Sequence, residues 1–209
     1  AGVRGDVLLA QNGSSIFALS YGNRRLSSSV TNGLTWERED TKPNHPFPDN
    51  FPYPIVVAAD ASVVVFVSED FSQGNTIWYR SLDGGSTWLP MHTPNGGTDV
   101  FVDNGNIYYY GDKGWVTGSH GLYQYNTATD DWDLLQLEIN YQAILAFTGA
   151  EIWMGSSFGM WHLQNGSWTT IIMAVPPTSL AAVGTTLAGV SGNDVFYSND
   201  NGATRLPSN

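Results

Sequence analysis

The stretch that decides the fold is Trp78-Tyr-Arg-Ser81-Leu-Asp83-Gly-Gly85-Ser-Thr87-Trp88. It opens with strand-forming aromatic residues, passes through a short polar turn and closes on a second tryptophan. An Asp side chain in such a turn accepts hydrogen bonds from nearby backbone N–H groups. Glycine supplies the positive φ angles, and the closing aromatic ring packs beneath the loop. The stretch therefore predicts a hairpin that joins two neighbouring strands of an antiparallel sheet.

The same turn recurs along the chain. Ser29-Val-Thr31-Asn-Gly33-Leu-Thr35-Trp36 differs at the Asp position, where Thr31 stands. Ser198-Asn-Asp200-Asn-Gly202-Ala-Thr204-Arg205 differs only at the closing position. Two weaker copies keep the closing aromatic as Trp132 and Trp168. These repeats indicate that one structural unit has been copied along the chain.

Three short apolar runs precede each turn, and a fourth strand follows it. The first runs start about 49, 44, 44 and 36 residues apart, a spacing typical of four-stranded propeller blades. No stretch has helical periodicity. The sequence predicts a single all-β domain over 1–209, with blades at approximately 1–50, 51–96, 97–139, 140–176 and 177–209.

The turn that ends at Trp88 is similar to the Asp box of the BNR repeat superfamily, whose pattern is Ser, any residue, Asp, any residue, Gly, any residue, Thr or Ser, Trp. The resemblance implies a five-bladed β-propeller with Asp-box-like turns between the third and fourth strands of each blade. The positions assigned to these turns are Ser29, Thr31, Gly33, Trp36, Ser81, Asp83, Gly85, Trp88, Trp132, Trp168, Ser198, Asp200 and Gly202.

Sialidases carry the same repeats, but their chemistry does not fit this sequence. They hold the substrate carboxylate with three arginines. Here five of the six arginines fall toward the predicted blade rims, and only Arg4 is placed near the axis. The Arg-Ile-Pro signature of that family is also absent. Sialidase activity is therefore not expected.

Composition excludes several kinds of partner. The net charge of -11 repels phosphate backbones and anionic lipid headgroups, so neither nucleic acid nor an acidic membrane surface is expected as a partner. No apolar run approaches the roughly 20 residues of a membrane-spanning helix, so membrane insertion is not expected. The four histidines stand singly, and no metal or other cofactor is predicted.

Two kinds of residue are candidates for a ligand site. Tyr108, Tyr110, Trp115 and Trp161 are aromatic residues with polar neighbours, a combination that suits sugar rings. Asp6 and Asp99 open inner strands and are placed to face each other across one mouth of the central channel. Paired carboxylates at that separation are also what a glycoside hydrolase needs. No catalytic residue is assigned, because turn carboxylates more often serve as caps.

The favoured hypothesis is a non-catalytic binding module, secreted or exposed at a cell surface after removal of a leader. It would recognise carbohydrate or a protein surface in a lectin-like manner. The alternative is an assembly subunit that makes protein contacts through blade edges, as a homo-oligomer or polymer. A glycoside hydrolase is the third hypothesis. Because the copies diverge, one or two ligand sites, or none, are expected in place of five equivalent ones.

Overall fold

A computed structural model of the chain describes residues 7–20, 25–39, 53–70, 75–94, 99–112, 120–138, 144–148, 151–156, 159–173, 175–183, 185–200, 204 and 206–207. These residues form five antiparallel sheets of four strands each, and every sheet is a simple meander. The predicted all-β architecture of four-stranded antiparallel sheets is confirmed.

The twenty strands are numbered in chain order. The first sheet holds β1 (Val7–Asn12), β2 (Ser15–Ser20), β3 (Arg25–Ser29) and β4 (Glu37–Arg38). The second holds β5 (Tyr53–Ala59), β6 (Val64–Asp70), β7 (Asn75–Ser81) and β8 (Leu89–Met91). The third holds β9 (Asp99–Asp103), β10 (Asn106–Asp112), β11 (His120–Asn126) and β12 (Asp131–Glu138).

The fourth sheet holds β13 (Ile144–Thr148), β14 (Glu151–Ser156), β15 (Gly159–Gln164) and β16 (Ser167–Ile172). The fifth holds β17 (Pro177–Val183), β18 (Thr186–Ser191), β19 (Asp194–Ser198) and β20 (Leu206–Pro207).

Tight hairpins follow from Asn-Gly pairs in the sequence. Asn104 and Gly105 join β9 to β10 with φ angles of 49° and 78°, and Asn165 and Gly166 join β15 to β16 with φ angles of 52° and 75°. Two successive positive φ angles give the turn whose twist matches that of the flanking strands. These short loops fix the register, and with it the face to which each side chain points.

The chain divides into two compact units, Ala1–Glu138 and Ile139–Asn209. The first unit contains the first three sheets and has two apolar clusters. One cluster lies around Phe17, Phe66 and Trp88. The other lies around Trp78, Tyr109 and Trp132, whose rings meet at centroid distances of 5.5–5.6 Å. Fully buried aromatic rings of this size dominate the packing energy of a core.

A single residue joins the three sheets of the first unit through its carboxylate and its backbone carbonyl. Asp60, in the turn between β5 and β6, accepts hydrogen bonds on Oδ1 from the backbone N–H groups of Ser62 (2.7 Å) and Val63 (2.9 Å). Its Oδ2 accepts one from Gly105 of the third sheet, and its carbonyl accepts one from the Asn12 side chain of the first. Asp60 is therefore a capping residue that also connects neighbouring sheets.

The second unit has a smaller core. The buried residues of the fourth and fifth sheets that form it are Ala146, Trp153, Met160, Leu180, Leu187 and Phe196. Trp153 stacks on His162 with ring centroids 3.6 Å apart, and His162 Nε2 lies 3.1 Å from Glu151 Oε2. Within the described part of the chain, no helix is long and apolar enough to cross a membrane.

Candidate functional site

A polar cleft lies within the first unit, between the second and third sheets. Its volume is about 420 Å³, within the range of small-ligand sites. The lining residues come from the β5–β6 turn, the end of β7 with the turn that follows it, the β9–β10 turn with the start of β10, the end of β11 with the turn that follows it, and the start of β12. They are Val63, Arg80, Leu82, Gly105, Asn106, Ile107, Gln124, Tyr125, Asn126, Thr127 and Asp133.

Arg80 is the cation of this cleft. Its guanidinium carbon lies 5.0 Å from the centre of the Tyr125 ring, a cation–π contact between the second and third sheets. The Nε atom of Arg80 is buried and has no hydrogen-bond partner. A buried donor on a charged group without a partner costs free energy.

Tyr125 is held in place from the opposite side. Its hydroxyl donates a hydrogen bond to Asp130, which sits at a φ of 52° in the β11–β12 turn. Burial and this hydrogen bond raise the pKa of Tyr125 to about 12, so the ring stays neutral beneath Arg80. The hydrogen bond from Tyr125 lowers the pKa of Asp130, which also accepts the backbone N–H of His92 at 3.2 Å. The platform under Arg80 is thus fixed before any ligand arrives.

Amide and carboxylate groups form the other wall. Gln124 Nε2 donates to Asn106 Oδ1 at 3.0 Å, and Asn126 Nδ2 donates to Asp133 Oδ2 at 2.9 Å. Gln124 and Asp133 are direct cross-strand partners on β11 and β12. Each of these pairs uses only part of its hydrogen-bonding capacity, since an amide group offers two donors and an acceptor and a carboxylate offers several acceptor sites. The wall can therefore both donate to and accept from a bound molecule.

The acidic side chains of the cleft decide which hydrolytic chemistry it could support. Among the described residues that line it, Asp133 is the single carboxylate. Hydrolysis of a glycosidic bond by the usual route needs a pair of carboxyl groups flanking the bond. The described residues also contain no group of three or more His, Cys, Asp or Glu side chains arranged to hold a metal ion.

The turn ending at Trp88 shows how the repeated motif works. Asp83 Oδ1 accepts the backbone N–H of Thr87 at 2.8 Å, and Asp83 Oδ2 accepts the Thr87 hydroxyl at 2.7 Å. Ser81 Oγ accepts the backbone N–H of Gly85 at 2.8 Å and donates to Asp83. Burial alone would raise the pKa of Asp83, but the hydrogen bonds from Thr87 and Ser81 outweigh it and lower that pKa.

Gly85 is required at its position in this turn. Its φ is 86°, and an added Cβ would lie 2.9 Å from the Phe17 ring of the first sheet. Trp88 is buried and packs edge-on against Phe17 and Phe66, at centroid distances of 6.3 and 6.4 Å. Its Nε1 donates to Glu39 at 3.2 Å. The motif thus supports both the hairpin and the contact between the first and second sheets.

Thr31 performs the same role in the first copy of the turn. Its Oγ1 accepts the backbone N–H of Thr35 at 2.8 Å, while Ser29 Oγ accepts that of Gly33 at 2.9 Å. Trp36 is 44% exposed, and its ring nitrogen donates to the Gly33 carbonyl at 3.0 Å. A hydroxyl therefore replaces the carboxylate without loss of the turn.

The last copy of the turn follows the pattern of the second. Asp200 accepts the backbone N–H and the hydroxyl of Thr204 at 2.8 and 2.6 Å, and Ser198 donates to it at 2.7 Å. The hydrogen bonds from Thr204 and Ser198 lower the pKa of Asp200 to about 2. Gly202 lies outside the described residues.

The remaining two tryptophans of the predicted turns differ in burial. Trp132 is fully buried, and its Nε1 donates to the His92 carbonyl of the second sheet at 2.9 Å. Trp168 is half-buried on β16, opposite Leu163 of β15. The closing tryptophan of this turn thus occupies different environments in different sheets.

The described aromatic residues proposed for a ligand site, Tyr108, Tyr110 and Trp161, do not line the cleft. Tyr108 and Tyr110 are 6% and 4% exposed, so little of either ring is accessible. Trp161 is half-buried on β15, in the second unit. Asp6, Trp115 and the side chain of Asp99 lie outside the described residues.

Sequence reasoning missed Arg80 and Asp133 as cleft residues. It placed Arg80 at a blade rim, and it considered Asp133 as a calcium ligand but favoured a simple turn for the stretch 130–133. Arg80 precedes the turn motif by one residue, but nothing in the sequence indicates that it meets Tyr125, 45 positions away.

The sequence matches no protein-family model, and no curated protein matches it significantly. Solved structures are similar in fold. A propeller in the crystal structure of the nidogen/laminin complex superposes with a TM-score of 0.62 and 11% identity, covering 96% of this chain and 78% of that one. The propeller YCF48 from Cyanidioschyzon merolae superposes with a TM-score of 0.65 and 14% identity, covering 100% and 73%.

At these identities the similarity concerns the fold alone. Both neighbours are β-propellers, and the described sheets have the meandering, four-stranded form of propeller blades. The chain therefore has a β-propeller fold with a repeat-like, all-β structure.

Proposed function

We propose that this chain is a non-catalytic, lectin-like binding module, and that its ligand is a saccharide bearing a carboxylate group. The observation that carries the proposal is the Arg80 guanidinium, the cation among the described residues that line the polar cleft, which lies over the Tyr125 ring. Guanidinium groups bind carboxylates through charge-assisted, often bidentate hydrogen bonds. A carboxylate is therefore the ligand group that best fits this side of the cleft.

The opposite wall supports a saccharide as the rest of the ligand. Asn106, Gln124 and Asp133 offer donors and acceptors side by side, as vicinal hydroxyl groups require, since each hydroxyl both donates and accepts. An anionic ligand must approach a chain of net charge -11, so its binding should depend on Arg80 more strongly than on any uncharged contact. We place such a module at a cell surface or outside the cell, where glycans are displayed.

Replacement of one side chain tests the proposal. We expect Arg80→Gln to weaken binding by about 2 kcal/mol, or roughly 30-fold, because a charge-assisted hydrogen bond is lost. Calorimetric titration with a uronic-acid oligosaccharide, chosen from hits on a glycan array, measures this change. Arg25→Gln is the matched control, because Arg25 is an exposed arginine on β3 of the first sheet.

The neutral analogue of the same oligosaccharide separates the two parts of the proposal. It should bind the unmodified protein as weakly as the acidic sugar binds the Arg80→Gln variant. Equal affinity of the variant and the unmodified protein for the acidic sugar would contradict the role of Arg80. Absence of binding to any glycan on the array would reject the lectin-like function altogether.

The second candidate function is that of an assembly subunit that binds other proteins. It is favoured by the similarity to a propeller solved in the nidogen/laminin complex. Exposed apolar side chains on the turns between third and fourth strands, namely Val30, Leu34 and Leu82, offer contact surface of the required kind. Ordered assemblies in electron micrographs, together with a blank glycan array, would favour this function.

We also infer that the five sheets are the five blades of one propeller of the BNR repeat superfamily. The hydrogen bonds accepted by Asp83, Asp200 and Thr31 in equivalent turns support this assignment. A crystal structure of the whole chain tests it by counting the blades of the ring.

A further inference from the structure

The outer edge of β16 differs from the other four outer edges. As described, β4 and β20 have two residues each, and β8 has three and contains Pro90. The longer β12 carries the charges of Asp131, Asp133 and Glu138, and its pairing with β11 shifts register. Short length, proline, charge and bulges are the devices by which proteins prevent sheet edges from pairing with other chains. The strand β16, Ser-Trp-Thr-Thr-Ile-Ile, has six residues and none of these devices.

The register of the β15–β16 hairpin shows which backbone groups face outward. The two-residue loop makes Gln164 and Ser167 the first hydrogen-bonded pair, and such pairs then alternate along the strands. Backbone groups of Ser167, Thr169 and Ile171 therefore face β15, and those of Trp168, Thr170 and Ile172 face away from it. In the described chain, nothing pairs with the outward groups of Thr170 and Ile172.

Charge favours a second copy of this chain as the occupant of the edge. The chain carries a net charge of -11, which opposes the approach of two copies through most of the surface. Residues 152–193 contain no Asp, Glu, Lys or Arg, and β16 lies within this stretch. Strands rich in Thr and Ile are also good partners in a sheet. Two copies can therefore meet at β16 without placing like charges against each other.

We propose that this chain dimerises by antiparallel pairing of β16 with β16 of a second copy. Outward-facing residues must pair with outward-facing residues, and a two-fold axis through Thr170 is the arrangement that lets Trp168, Thr170 and Ile172 all pair. Thr170 then faces its own copy in a hydrogen-bonded pair, and Ile172, which is 85% exposed, lies opposite Trp168 of the second copy. Direct Thr–Thr and aromatic–β-branched pairs across antiparallel strands are stabilising. The proposal is independent of the cleft, and Arg80→Gln should leave the dimer unchanged.

Thr170→Pro is the variant that tests the pairing. Proline removes the outward N–H group of residue 170 in both copies but takes no hydrogen bond from the pairing with β15. We expect sedimentation equilibrium to show a monomer–dimer exchange of the unmodified chain between about 1 and 500 µM, as is typical of small interfaces. Loss of two backbone hydrogen bonds should raise the dissociation constant of the variant about 30-fold.

A second variant shows whether a monomer seen with Thr170→Pro results from lost pairing or from misfolding. Thr170→Lys places two like charges opposite each other at the axis and should also give a monomer with an unchanged melting temperature. Leu134→Lys is the matched control, because it adds the same charge at an exposed position of the other long outer strand, β12, and should leave the dimer intact. A monomeric unmodified chain over the whole concentration range would overturn the proposal, as would a dimer that both Thr170 variants retain.

Discussion

The two compact units of the chain differ in how many charged residues they carry. The first unit, Ala1–Glu138, contains 16 of the 19 acidic residues and seven of the eight basic ones. The second unit, Ile139–Asn209, contains only Glu151, Asp194, Asp200 and Arg205. Their sequence patterns are the same, since each unit is built of four-stranded meanders with similar turns. One blade pattern can therefore be realised with charged or with nearly uncharged surfaces.

The difference extends to what joins the sheets. In the first unit, Asp60 connects three sheets through hydrogen bonds, and Asp130 and Glu39 accept hydrogen bonds from neighbouring sheets through His92 and Trp88. In the second unit, the apolar cluster around Trp153 and Phe196 packs the fourth sheet against the fifth. The stability of the first unit should consequently depend more on pH. The second unit is better suited to close contact with another protein surface.

The largest expected effect tests how much the aromatic core contributes to the stability of the first unit. Trp132→Ala removes a buried ring and its hydrogen bond to His92, and should lower the free energy of unfolding by about 4 kcal/mol. Urea titration followed by circular dichroism measures this loss. Hydrogen exchange should accelerate in β7, β10 and β11 but much less in β14 and β15 of the second unit. Equal acceleration in both units would show that the ring of Trp132 does not stabilise the first unit selectively.

An intermediate effect tests the carboxylate that joins the sheets. Asp60→Ala leaves the backbone N–H groups of Ser62, Val63 and Gly105 without their acceptor and should cost about 2–3 kcal/mol of unfolding free energy. Asp194→Ala in the second unit is the control, because that residue is exposed at the start of β19, and the change should stay within about 0.5 kcal/mol. Thermal melts of the two variants make the comparison, and similar losses would show that the units do not differ in this respect.

The smallest effect concerns pH. The pKa of Asp83 is lower in the folded chain, so its contribution to stability is complete above the unfolded pKa of about 3.9 and is lost as the pH falls through the folded pKa. We expect Asp83→Ala to cost about 1 kcal/mol at pH 7, from the lost hydrogen bonds to Thr87. The gap between variant and unmodified protein should narrow as the pH falls below about 3.9. A gap that stays constant in denaturant titrations from pH 7 down into the acid range would contradict the ionic role of Asp83.

Asp103 should behave in the opposite sense. Burial and the nearby charge of Asp60 raise the pKa of Asp103, and one of its carboxylate oxygens is buried without a partner. A raised carboxyl pKa means that ionisation of Asp103 costs stability above the unfolded value of about 3.9. The first unit therefore contains carboxylates that stabilise it and one that does not, a balance that nothing in the turn pattern reveals.

The strands and turns could be predicted from the sequence because their causes are local. Asn-Gly pairs set hairpin twist, alternating apolar residues set the faces, and Ser81, Asp83 and Gly85 form a turn within eight residues. The candidate ligand residues were predicted less well. Tyr108 and Tyr110 have polar sequence neighbours, yet both rings are buried, because exposure depends on which other sheet packs over them.

What the sequence by itself determined is the repeated unit: four strands, their order, and a turn that either a carboxylate or a hydroxyl can cap. What only the tertiary structure decided is the cleft, where Arg80 of the second sheet meets Tyr125 of the third, and the exposure of β16 as the outer strand of its sheet. Local hydrogen bonds are specified within a few residues of chain. Contacts between sheets depend on packing across dozens of residues, which no short pattern encodes.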